Sequence, residues 1–209
     1  MRLDYRWFDY ESGHAWCESA YKYQIISVVA EFANTITNLP LIMLPLVNVL
    51  LIRPYIETVN CGRVRCAIAV VTVVVSAFCF VKPSLNALVL MLWSIPSIVI
   101  IHHEAANAGI PEITGFPRKI STLWIAASIC WVSDRVFCDF WLLLGTPYFH
   151  ALFHLLSSLA AYNVFIMFSL IDICRRNDQH QYSYRIKHFP EKGPFRLPYI
   201  VLTICCKYL

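Results

Sequence analysis

Two histidines four residues apart, His150 and His154 in the run TPYFHALFHLLSSLAAY, carry the sharpest chemical signal in this 209-residue chain. On a helix, residues i and i+4 stack on one face a turn apart. Neutral imidazole is the commonest metal-binding side chain, and such a pair can fill two corners of a zinc tetrahedron. The alternative is a pair of satisfied polar residues joining helices. Inside a membrane, where ionisable groups are costly and usually mark function, the two readings stand level from spacing alone. Glu31 makes a similar case, as the only ionisable residue of the apolar run 24–52. With Trp16 and Glu18 on its side of the membrane it offers hard oxygen donors of the kind calcium prefers, although that ion takes roughly 6–8 oxygens. Here the alternative is a hydrogen bond to a neighbouring helix.

The elements that must position these residues are membrane helices. The chain is 58% hydrophobic and 14% charged, against about 25% charged residues in ordinary soluble domains. It cannot coat a soluble globule with so little charge. Its net charge of +4 is spread between apolar runs, with no basic stretch dense enough for a nucleic acid. Apolar runs at 24–52, 66–81, 83–101, 120–133 (extendable to 137) and 146–171 predict five spans, the second and third forming a hairpin at Lys82-Pro83. The run 197–206 is too short to cross alone. The expected fold is all-α: a non-cytoplasmic segment 1–23, a transmembrane domain 24–173 and a cytoplasmic tail 174–209. Segment 1–23 carries Arg2, Asp4, Arg6, Asp9, Glu11 and Glu18, unlike a cleaved signal.

Lys and Arg set the orientation. Arg53, Arg63 and Arg65, then Arg118 and Lys119, then Arg175 and Arg176 fall on one side, which the positive-inside rule makes cytoplasmic. Of nine cysteines, only Cys17 and Cys138 then lie wholly on the opposite face, where disulfides persist. A Cys17–Cys138 bridge is the favoured reading and two free thiols the alternative. The remaining cysteines read as small buried hydrophobes.

Several separated blocks carry a resemblance. Trp16-Cys17-Glu18 is followed by Ala30-Glu31-Phe32-Ala33-Asn34-Thr35-Ile36-Thr37-Asn38 and by Phe80-Val81-Lys82-Pro83. Then come Trp131-Val132-Ser133-Asp134-Arg135-Val136-Phe137-Cys138, Pro147-Tyr148-Phe149-His150 with His154, Ala160-Ala161-Tyr162, His188-Phe189-Pro190 and Pro198-Tyr199. In this order they resemble the alkaline ceramidases over about residues 16–202. The resemblance implies a seven-helix membrane fold of which this chain keeps about five, in an endoplasmic reticulum or Golgi membrane, with the plasma membrane as the alternative. It implies zinc-dependent hydrolysis of ceramide, or a related sphingolipid, to sphingosine and a fatty acid. It also implies zinc on His150 and His154, calcium near Trp16, Glu18 and Glu31, and the Cys17–Cys138 disulfide.

The departures are specific. The family's second and third helices, which carry a Ser and His motif and a catalytic Asp, have no counterpart between Arg65 and Val81. Ala15 and Ala20 stand where the family has Asp and Asn, and Glu31 lies two residues further from Trp16 than in the pattern. Zinc therefore lacks its third protein ligand, and no residue here is assigned as catalytic. Asp134 is a positional neighbour with no motif claim to proton transfer. His102 and His103 cannot substitute, because about 30 Å of hydrocarbon separates them from His150. His14, on the correct side, is the remaining candidate. The expectation is a ceramide hydrolase with an impaired centre. The alternatives are an inactive family member that binds lipid or a partner, and a truncated splice form or gene model.

Overall fold

Prolines decide where the first apolar run breaks. The computed structural model describes residues 17–18, 25, 32–58, 70, 83–176, 182–192 and 196–204. In it the run forms helices α1 (Phe32–Thr37) and α2 (Leu39–Leu51), separated at Asn38, and a short α3 (Arg53–Thr58) follows. Pro40 has no N–H to offer the preceding turn, so the helix restarts with proline in its first turn. Thr37 and Asn38 turn their side chains back onto the carbonyls of Ala33 (2.8 Å) and Asn34 (2.9 Å), the local bonding that competes with helix continuation. His14, Trp16, Glu31 and the second apolar run, Val70 apart, lie outside the described residues.

Three longer stretches follow: α4 (Pro83–Ala108), α5 (Phe116–Val136) and, after the short α6 (Cys138–Leu143), α7 (Phe149–Arg176). α4 runs on past the expected 83–101 until Gly109, whose φ of 65° ends it. α7 is the central helix and packs on α5, α2 and α1. Its apolar positions Ile166, Met167, Leu170 and Ile173 are fully buried against Ile52, Ile101, Ile113 and Ile120. Polar residues cross the same contact, where Asn48 Nδ2 donates to Ser169 Oγ at 3.4 Å. At the basic end, Arg175 pairs with Glu104 at 2.8 Å, while Asp172 accepts from Tyr55 (2.6 Å) and Arg176 (2.7 Å).

Among the described residues, two stretches are long and apolar enough to cross a bilayer: Phe32–Leu51 and Phe149–Arg176. α4, α5 and α6 turn large apolar side chains outward. On α5, Ile125, Ile129, Val132 and Val136 form one exposed stripe, and on α4 Leu92, Ile95 and Val99 form another. Water-soluble monomers rarely expose contiguous apolar surface on this scale.

The all-α expectation needs one correction. Tyr182–Phe189 (β1) and Leu197–Ile204 (β2) form an antiparallel hairpin, pairing Tyr182 with Ile204 and Phe189 with Leu197. The sequence has the period of a strand there: Tyr182, Tyr184 and Ile186 face the core, while Ser183, Arg185 and Lys187 are exposed. Burial, together with the nearby charges of Arg196 and Lys119, holds His188 below the ordinary histidine range. Tyr182 and Ile200 join the main core. Tyr162 of α7 donates its hydroxyl to the carbonyl of Pro198 at 2.6 Å in a buried setting. Tyr162→Phe leaves that carbonyl buried without its donor and is expected to lower stability by about 1–3 kcal/mol. Thermal unfolding in detergent checks this, and an unchanged midpoint would show that the hairpin is held by other contacts.

Candidate metal centre

The pair His150 and His154 is made by local helix geometry. Both lie in the first two turns of α7, one turn apart, with ring centroids 4.5 Å from each other and planes at 87°. His150 is buried and His154 partly so. Phe153 between them packs with Ala127 and Cys130 of α5, which fixes the rotation of α7 and hence the side on which the imidazoles emerge. Ser158 and Ser157 donate to the carbonyl of His154 at 2.6 and 3.1 Å.

The start of α7 is held by a tight corner. Gly145 takes the left-handed conformation that the turn after α6 requires, at φ 68°. Trp141 of α6 stacks on Phe149 at 4.0 Å, and its indole N–H donates to Ser133 Oγ at 3.1 Å. Asp134 in the last turn of α5 is 1% exposed. Its Oδ1 accepts the amide of His150 at 3.1 Å and its Oδ2 the amide of Cys17 at 3.2 Å. Sequence reasoning gave Asp134 no role. Its partners stand 16 and 117 positions away, so no spacing rule could have found them.

Cys17 and Cys138 are joined by a disulfide with 5.3 Å between Cα atoms. Glu18, next in sequence, is also 1% exposed. Its Oε1 accepts the amide of Ala33 at 2.8 Å and its Oε2 that of Asn34 at 3.0 Å, so this carboxylate caps the start of α1. The bridge, Asp134 and Glu18 together bring the 17–18 segment against the beginnings of α1 and α7. Of the residues expected around calcium, Trp16 and Glu31 lie outside the described residues.

The separation of the two rings is compatible with a shared ion. A ring nitrogen about 2.0–2.1 Å from zinc puts its ring centroid about 3.2 Å from the ion, so two rings on one ion have centroids within about 6.4 Å. The observed 4.5 Å meets that condition. Among the described residues no group of three histidine, cysteine, aspartate or glutamate side chains is assembled for a metal. His102 and His103 are engaged elsewhere, His102 with Ser121 at 3.0 Å and His103 with Asn107.

Comparison with known proteins places these features in a family. A family model described as Ceramidase matches residues 9–62 and 57–201. The chain is 45% identical to an alkaline ceramidase of Caenorhabditis briggsae over 260 aligned positions, covering 94% of this chain and 96% of that protein. It is 44% identical to an alkaline ceramidase of Caenorhabditis elegans over the same length and coverage. An alkaline ceramidase of Drosophila melanogaster is 26% identical over 246 positions, covering 88% and 86%. No solved structure matches the chain. Because 260 positions are aligned and the chain has 209 residues, at least 51 positions of each nematode alignment have no counterpart here. The two family-model segments meet at residues 57–62, where α3 ends.

Proposed function

The chain belongs to the ceramidase family, and on that premise we propose that it is a ceramide amidohydrolase whose water is activated by zinc at a weakened centre. The observation that carries this reading is the His150–His154 pair, stacked 4.5 Å apart on a helix start that Asp134 and the Cys17–Cys138 segment hold in place. His150 and His154 would hold zinc through neutral imidazole nitrogens. When bound, zinc supplies a Lewis acid for the amide carbonyl and acidifies water for attack on it. The products of this reaction are sphingosine and a fatty acid. Calcium remains part of the proposal through Trp16, Glu18 and Glu31, with Glu18's carboxylate already capping α1.

The membrane reading is a five-span bundle whose histidine pair lies near the non-cytoplasmic face. The outward apolar stripes of α4 and α5 support it, since a lipid environment takes such faces without penalty. An oxidising non-cytoplasmic side suits the disulfide, as in the endoplasmic reticulum or Golgi and equally at the plasma membrane. Tags at the two ends are expected on opposite sides of the membrane, because an odd number of spans separates them. Protease protection of both tags on one side would remove the five-span arrangement.

One observation favours a second reading alongside the first. The interruption at residues 57–62 falls between elements that are otherwise continuous with the family, as expected if an internal segment has been lost by splicing or in the gene model. Transcript sequence across the codons for 53–65 separates the two. Ceramide hydrolysis by purified protein, with and without zinc and with His150→Ala, tests the function itself.

A further inference from the structure

We infer that Asp134 is the positioning residue of the histidine pair, joining the oxidised Cys17–Cys138 segment to the first turn of α7. This rests on the zinc reading above and adds a residue to it. His150 is the second residue of α7, so its amide is one of the four at a helix start that have no acceptor within the helix. Asp134 supplies that acceptor from another helix, at 3.1 Å. A carboxylate is suited to this place, because its charge also meets the positive end of the α7 dipole. The second oxygen does not face solvent: it accepts the amide of Cys17 at 3.2 Å, and the side chain is 1% exposed.

These contacts close a ring. Asp134 is four residues before Cys138, Cys138 is bonded to Cys17, and the amide of Cys17 returns to Asp134. The carboxylate is therefore held from both sides, and its remaining oxygen fixes the backbone of His150. His154 follows one turn later on the same helix, so both imidazoles inherit that placement. The bond that Asp134 makes to this pair runs to the backbone amide of His150. Asp134 acts through the backbone of His150, which makes it a positioning residue and not a proton carrier.

The test uses the full chain in lipid nanodiscs and two variants, Asp134→Ala and Asp134→Asn. Asparagine keeps one acceptor oxygen but presents N–H groups to the other amide, so its effect should be smaller. Zinc affinity, read by competition with a chelator, is expected to fall about tenfold or more in Asp134→Ala, the usual range for residues that orient metal ligands. Amide exchange at His150 should quicken by a similar factor, while exchange around Leu170 in the second half of α7 stays unchanged. A merely structural role would instead loosen both halves together. Wild-type zinc affinity in Asp134→Ala, or equal acceleration at both ends of α7, would overturn the proposal. If Asp134→Ala does not fold, Asp134→Asn carries the same two readouts. If the wild-type chain takes up no zinc, the metal reading falls, and the selectivity of exchange between His150 and Leu170 decides the role of Asp134 alone.

Discussion

Purified from membranes, the chain is expected to hydrolyse ceramide at least about a hundredfold more slowly than its 45%-identical nematode relative assayed beside it. Catalytic zinc sites normally take three protein ligands and leave one position open. His150 and His154 provide two, and among the described residues no third acid, thiol or imidazole completes the set. Disturbing a residue that only orients a ligand already costs about 10–100-fold, so losing a ligand should cost more. Loss of the 51 or more aligned positions that the relative has and this chain lacks is expected to open the site to water, which weakens the stabilisation on which amide hydrolysis depends. Inserting the relative's segment at residues 57–62 is expected to restore both zinc uptake and turnover. Should His14 have replaced the lost ligand, residual activity would survive and His14→Ala would abolish it together with bound metal. Turnover equal to the relative's, indifferent to His14→Ala yet lost in His150→Ala, would show that the third donor comes from elsewhere, such as a second copy of the chain.

What the sequence made legible was whatever local geometry dictates. The i, i+4 spacing of His150 and His154 is enough to stack them, because any helix at that point must do so. The outward stripes of α4 and α5 were likewise implied by apolar runs that have too little charge to face water. Asp134 was not legible, since its two partners come from segments brought together only by the folded chain. Glu18 was read as a calcium donor from its hard oxygens and again from resemblance; what the sequence did not show is that its carboxylate accepts the amides of Ala33 and Asn34. The hairpin was missed for another reason. Its alternation of Tyr182, Tyr184 and Ile186 with Ser183, Arg185 and Lys187 is a strand signal, but it lies in a stretch read as a cytoplasmic tail. Tertiary contacts, those of Tyr182 and Ile200 in the core and of Tyr162 with Pro198, reveal that this tail has a buried side.

Removing the bridge should have the largest effect on stability. Cys17 and Cys138 are 121 residues apart, and closing a loop of about that length restricts the unfolded chain by about 4–5 kcal/mol in the chain-entropy estimate. Cys17→Ser is therefore expected to lower the unfolding midpoint by roughly 10–20 °C. The folded state loses as well, because the bridge holds the amide of Cys17 at Asp134 and keeps Glu18 at the start of α1. Loss of the bridge should thus spread to both helix beginnings. Cys138→Ser and the double variant should match Cys17→Ser, since one bond is removed in all three. The thiol state is checked independently by alkylating intact membranes before lysis and recovering the two peptides by mass spectrometry. Free thiols in wild-type protein, or a double variant as stable as the wild type, would mean that the 17–18 segment is held by its hydrogen bonds without the covalent link.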